Sequence, residues 1–245
     1  MNIGIVEAIY RYPVKSMRGE RLESAHVGWH GIDGDRRFAF RRTGDRGGFP
    51  WLTAGKLPDL LLFEPCRLDG DAASVLPTHV RAPGGDALPI FGEALAGEIA
   101  RRHGAPVEML RLDHGIFDEA AISVIATGTV HDIGSMAGEP PDVRRFRPNV
   151  VVRLPHPAPF QEDAWVGGVL AFGDGDDGPA IAVTMRDVRC SMLNFDPDSA
   201  HPAPDMLKTV VRAHDNTAGV YASVTRTGRL AVGQPIRLHA AGGAP

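Results

Sequence analysis

Cysteine is scarce in this chain: its 245 residues contain two, Cys66 and Cys190. One disulfide is the most they could form, which excludes the framework of a secreted, cross-linked mini-domain. A cysteine-ligated iron–sulfur module, which needs four, is excluded as well. No HxxxH pair supplements the thiols, so a closed zinc site has no ligand set. No apolar run approaches the roughly 18 residues that span a bilayer. The opening MNIGIVEAIYRYPVKS also lacks the basic, apolar, small-residue layout of a signal peptide. A reducing, cytoplasmic setting without a membrane partner is therefore expected. Positive charge is not in excess either, with a net charge of -4 and a pI of about 6.2. That argues against nucleic acid as a partner. No GxGxxG follows a strand to suggest a bound flavin or nicotinamide.

What the chain has in quantity is glycine (29) and proline (20), spread so that turns interrupt most segments. Short β-type runs lie between the turns: 3–10, 37–41, 107–111, 149–154, 180–186 and 219–225. The ending GRLAVGQPIRLH reads as two short strands around a Gly-Gln-Pro turn. Helices are few. Residues 93–103 place Leu95, Ile99 and Ala100 on one face and stop before Gly104, a plausible helix end. Weaker helical signals cover 123–136 and 206–213. The fold class expected is mainly β, built from barrels or sandwiches with few helices. The Gly-, Pro- and Asp-rich stretch 69–86 suits a loop-rich end to a first unit. The expected domains are residues 1–110 and 118–240.

Four polar clusters sit where a strand meets a loop. In Tyr12-Pro13-Val14-Lys15-Ser16, Pro13 biases Tyr12 to extended backbone, and Lys15 with Ser16 suits an oxyanion. Taken alone, the cluster reads equally as a solvated turn. In Gly31-Ile32-Asp33-Gly34-Asp35-Arg36-Arg37-Phe38, an Asp-Arg pair could pin a turn, or Arg36 could reach a ligand anion. Arg144, Arg145 and Arg147 crowd into four residues before Pro148-Asn149. The expectation there is mixed use, one arginine braced by Glu162 or Asp163 and another free for a ligand. Last comes Arg189-Cys190, followed by Asn194-Phe195-Asp196-Pro197. A basic neighbour and a loop-like continuation favour an accessible thiolate at Cys190. Cys66, after an apolar run and Pro65, is expected to be buried. A soft site with one thiolate is the metal option left open.

In this order, over nearly the whole chain, the clusters resemble the MOSC family in its longer form. There, a smaller N-terminal β-barrel-like domain precedes a β-barrel MOSC domain. YPVKS with GIDGDRRF resembles the N-terminal signature, and RRFRPNVVV, PFQEDAW, RC…FDPDS and GVYASV…GRLAVGQPI resemble the MOSC domain. The resemblance implies molybdenum cofactor (molybdopterin), not pyridoxal phosphate, with Cys190 as metal ligand and catalytic residue. It implies cofactor contacts from Lys15, Ser16, Arg36, Arg147, Asn149 and Arg189, and from Thr127 or Thr129. The enzymatic branch it is most similar to, the mitochondrial amidoxime reducing component and its bacterial relatives, reduces N-hydroxylated compounds. Such activity needs a separate electron donor, a ferredoxin or a flavin-dependent reductase. The alternative is a sulfur carrier or cofactor-delivery protein that uses Cys190 as a persulfide. The chain departs from the pattern at Leu52-Thr53-Ala54-Gly55-Lys56 and in HPAPDMLKTV after FDPDS, which bears on substrate more than on cofactor.

Overall fold

A computed structural model describes residues 1–68, 74–175 and 177–240. The first half of the chain carries β1 (Asn2–Arg11), β2 (Glu20–Leu22), β3 (Ser24–Gly28), β4 (Gly31–Ile32), β5 (Phe38–Arg42), β6 (Glu64–Cys66), β7 (His79–Arg81), β8 (Ala87–Pro89), α1 (Glu93–His103) and β9 (Val107–Arg111). The second half carries β10 (Ile122–Ala126), α2 (Thr127–Ala137), β11 (Val150–Arg153), β12 (Val169–Phe172), β13 (Ala180–Val188), α3 (Asp205–His214), β14 (Thr217–Arg226), β15 (Gly228–Ala231) and β16 (Pro235–His239). Among the described residues no helix is long and apolar enough to cross a membrane.

Seven strands close into a barrel in the order β11-β10-β14-β13-β12-β16-β1, with β1 pairing back onto β11 and β2 added outside β1. Closure leaves no barrel edge exposed to stray pairing. All of these pairings are antiparallel except β10 with β11. A parallel pair needs a crossover, and α2 supplies it. The expected helix over 123–136 is therefore corrected: residues through Ala126 form a fully buried strand, and the helix starts at Thr127. A short apolar run gives the same periodicity signal in either state, and here the central stave of a barrel took it.

Hydrogen bonding crosses the expected division between residues 110 and 118, because β1 is a stave of the barrel made by the C-terminal half. A register shift between Val6 and Ala8 turns the strand locally. Val6 and Ile9 consequently face the barrel core with Val124, Val152, Leu170 and Val220. Ala8 instead faces outwards, towards α2 and α3, with Ile133, Phe146 and Val210. The smaller unit packs β5, β9 and α1 around Phe38, Phe40, Leu60, Phe63, Leu95 and Ile99. Gly104 closes α1 in the left-handed conformation and donates its N–H to Ala100 O.

The two C-terminal strands separate: β15 pairs with β3, while β16 pairs with β1 and β12. Within the stretch 69–86, residues 69–73 lie outside the described residues. The remainder is not all loop, since β7 forms a hairpin with β8. Cys66 is half-buried on β6 and not in the core as expected, because the small sheet it belongs to is covered only in part.

Candidate functional site

The first two clusters are joined by main-chain bonds at the junction of the two units. Lys15 N donates to Phe38 O (2.8 Å), Phe38 N to Pro13 O (3.1 Å) and Arg36 N to Tyr12 O (2.7 Å). Asp35, buried, accepts from Tyr12 N through Oδ1 (2.7 Å). The solvated turn is thus not what forms. Lys15 is 5% exposed and Ser16 1%.

Lys15, Ser16, Arg36, Arg147, Arg189 and Cys190 line one cleft of about 350 Å³. Three of these, Ser16, Arg36 and Arg147, hold left-handed backbone with φ of 67°, 48° and 52°. Non-glycine residues adopt it at a cost of about 1–3 kcal/mol each, a strain that concentrates at ligand-binding sites. The cleft walls are held open by a conformation that glycine would adopt more cheaply.

The cations differ in how well they are matched. Lys15 Nζ donates to Asp118 Oδ1 (2.7 Å) and to Ile116 O (3.2 Å). Burial pushes the pKa of its ammonium down, and Asp118 opposes that shift. Arg36 donates to Asp35 Oδ2 (2.5 Å), Asn149 Oδ1 (3.3 Å) and Arg147 O (3.0 Å). Burial works against its charge, but Asp35 outweighs it and the pKa rises. Arg147 is 7% exposed, donates through Nη1 to Met17 O (2.7 Å), and its buried Nη2 has no partner. Burial pulls its pKa down to about 10, so it still carries its charge at neutral pH. Its guanidinium lies 4.1 Å from the centre of the Tyr12 ring, which Arg36 also approaches, at 4.9 Å. The face of a buried aromatic ring offers two cations partial compensation. Ser16 Oγ, buried as well, is without a partner.

Arg189 is braced on both sides, by Asp187 Oδ2 (2.5 Å) and Phe146 O (2.5 Å). Cys190 follows it and is exposed. Asn149 stands behind the cleft and positions Arg36. Besides accepting from that guanidinium, its Oδ1 accepts from Ser123 N (3.1 Å) and its Nδ2 donates to Tyr10 O (3.3 Å).

Two expected residues belong elsewhere. Thr129 is fully buried in α2, with its hydroxyl donating to Glu162 Oε2 (2.8 Å) and accepting from Phe160 N (2.8 Å). Thr127 opens the same helix onto a separate groove of about 600 Å³ beside Tyr10 and Arg21. The crossover turns both away from Cys190. The bracing of the arginine cluster is also corrected. Arg144 pairs with Asp142 and Asp198, and Arg145 with Glu139 and Asp196. Glu162 caps the start of α2, and Asp163 pairs with His214.

Sequence reasoning missed Asp118, Ser123, Asp187 and Tyr221, which line the same cleft. The available signal was Asp187, an acidic residue two positions before Arg189 in an otherwise apolar, alternating strand.

Among the described residues no group of three or more His, Cys, Asp or Glu could hold a metal ion. The cleft offers one thiolate, beside a cationic recess with two unsatisfied buried polar atoms. Such a donor set fits an anionic cofactor that brings its own sulfur ligands and fills the remaining positions of its metal.

Comparison with known proteins gives the same assignment. Residues 100–237 match the family model described as the MOSC domain, and residues 3–123 match that of the MOSC N-terminal beta barrel domain. No curated protein matches the chain. Among solved structures, YUAD protein from Bacillus subtilis is 16% identical, covers 97% of this chain and 96% of its own, and superposes with a TM-score of 0.52. That likeness concerns the fold. YiiM from Geobacillus stearothermophilus is 20% identical over 49% of this chain and 54% of its own, with a TM-score of 0.38.

Proposed function

The chain belongs to the MOSC family, and from that premise we propose that it is a molybdenum-cofactor enzyme that reduces N-hydroxylated compounds of the amidoxime type. One observation carries the reading. Arg147 Nη2 and Ser16 Oγ are buried without partners in the cleft that also contains exposed Cys190. An unpaired buried cation costs several kcal/mol unless an anion arrives to match it.

Lys15, Ser16, Arg36 and Arg147 would hold the phosphate and polar pterin of molybdopterin, as charge-assisted donors to an anion. Asn149 keeps Arg36 in place and Asp187 keeps Arg189 in place. Cys190 would add its thiolate to the metal. When bound, the cofactor supplies two-electron removal of oxygen from an N–OH group, and the chain binds, orients and shields it. Electrons would come from a separate protein, a ferredoxin or a flavin-dependent reductase.

Molybdenum and pterin analysis of protein made in a cofactor-competent host tests the first half of the proposal. Turnover of benzamidoxime with a reduced dye tests the second. Cys190→Ala is expected to abolish turnover while changing stability by less than about 0.5 kcal/mol, as for most exposed positions. Metal-loaded protein that leaves benzamidoxime intact would overturn the reaction. A sulfur adduct on Cys190 without metal, read by mass spectrometry, would replace the reading with a sulfur carrier.

A further inference from the structure

The cleft has a second polar side that the cationic recess does not use. Ser123 on β10 and Tyr221 on β14 are cross-strand partners, so their side chains emerge on one face. The buried carboxylate of Asp187, on β13, joins them. Its Oδ2 accepts from Ser123 Oγ (2.9 Å) and pairs with Arg189 Nη1 (2.5 Å). The Tyr221 hydroxyl also donates to Asp187. Tyr221 itself lines the cleft with Cys190. The charged groups around its hydroxyl are Asp187, Arg189, Asp118 and Arg36.

A phenol has one hydrogen. With that hydrogen committed to Asp187, what Tyr221 presents to the cleft is an oxygen lone pair. Donation to a carboxylate polarises the phenol and makes its oxygen a stronger acceptor. Burial, first, and then the negative charge of Asp187 raise the Tyr221 pKa, so the proton stays on it. Asp118 and Glu119 also line this cleft and add negative charge. A substrate with an N–H donor finds a matched partner here, and one without it strands the acceptor. Sites built to hydrogen-bond a substrate group reject analogues that lack it more strongly than apolar pockets do.

We propose that Tyr221, polarised by Asp187, is a specificity-determining residue that selects N-hydroxylated compounds with an adjacent N–H donor, such as amidoximes and N-hydroxyguanidines. This rests on the cofactor-dependent reading above only for turnover, not for binding.

The test titrates three probes into the metal-loaded full chain and its Tyr221→Phe variant by calorimetry. Benzamidine carries N–H donors and no N–OH. Benzamidoxime carries both. N,N-dimethylbenzamidoxime keeps the N–OH and loses the NH2. The variant is expected to bind benzamidine and benzamidoxime about tenfold more weakly, with the dimethyl compound changed by less than about twofold. In turnover, the kcat/KM ratio of benzamidoxime to its dimethyl derivative should fall by the same factor. A thermal unfolding scan reports folding of each variant. Tyr221→His, which restores an acceptor, should regain part of the preference. Equal benzamidine affinity in wild type and Tyr221→Phe, or none in wild type, would overturn the assignment. Intact discrimination in binding without turnover would instead overturn the reductase reading and leave Tyr221 as the recognition residue.

Discussion

Arg144 and Arg145 are each held by two carboxylates, from Asp142 and Asp198 and from Glu139 and Asp196. Arg147, within the same short segment, is as buried as Arg145, has no ion-pair partner, and is left with one main-chain acceptor and the face of Tyr12. The first pair fastens the 139–145 segment to the loop around Asp196. Arg147 instead carries a charge that the fold leaves uncompensated. The difference teaches that basic residues crowded in a sequence divide by what the backbone brings to them. A saturated arginine marks a fastening, and an unsaturated buried one marks a place for a ligand.

The strongest way to break that comparison is to replace Arg147 with an apolar residue of similar length. Arg147→Met should reduce retained molybdenum and pterin by at least about tenfold, the scale on which residues supporting a metal site act. The apo-protein should meanwhile become more stable, by about 1–4 kcal/mol, as when buried charges give way to packed apolar groups. Metal analysis and urea unfolding read the two effects. Loss of stability in the apo-protein would show that Arg147 is a fastening after all. Arg145→Met should do the opposite, with a loss of about 1–3 kcal/mol and unchanged cofactor content. Its two carboxylate partners are partly solvated, which keeps the loss at this size.

A smaller effect comes from pH. The folded-state pKa of Arg147, about 10, lies below its ordinary 12.5. In that interval the unfolded chain holds more protons at this residue than the folded one, so its contribution to stability rises with pH. Below about 10 the cost of burying the charge is present in full. The stability difference between Arg147→Met and wild type should therefore shrink as pH is raised through about 10. A difference that stays constant would mean that the guanidinium keeps its charge there.

Much of the site was legible because its members come in pairs along the chain. Lys15-Ser16, Asp35-Arg36 and Arg189-Cys190 each announce themselves within a turn. Their counterparts were not legible, because Lys15 meets Asp118 across 103 positions and Arg36 meets Asn149 across 113. Tyr221 and Asp187 gave no local signal, since a single polar residue facing inwards in a strand resembles ordinary alternation. Thr127 and Thr129 were misplaced because the strand-to-helix change at Ala126 decides which way the following side chains point. The fold followed the same rule. Helix α1 and strand β9 have the expected bounds because glycine and proline flank them. That β1 would close the distant barrel was invisible, because strand pairing over 140 or more positions leaves no local trace.

The place of β1 in the barrel also sets an order of events during synthesis. Its neighbours in the finished wall are β11 and β16, and the ribosome makes β16 after nearly every other residue. The first ten residues to emerge therefore carry Val6 and Ile9 without a wall to join. The smaller unit, whose contacts are nearer in sequence, can form in the meantime and tether that strand. Barrel closure is then a late, long-range event, of the kind that makes β-rich chains fold slowly and expose apolar surface while they wait.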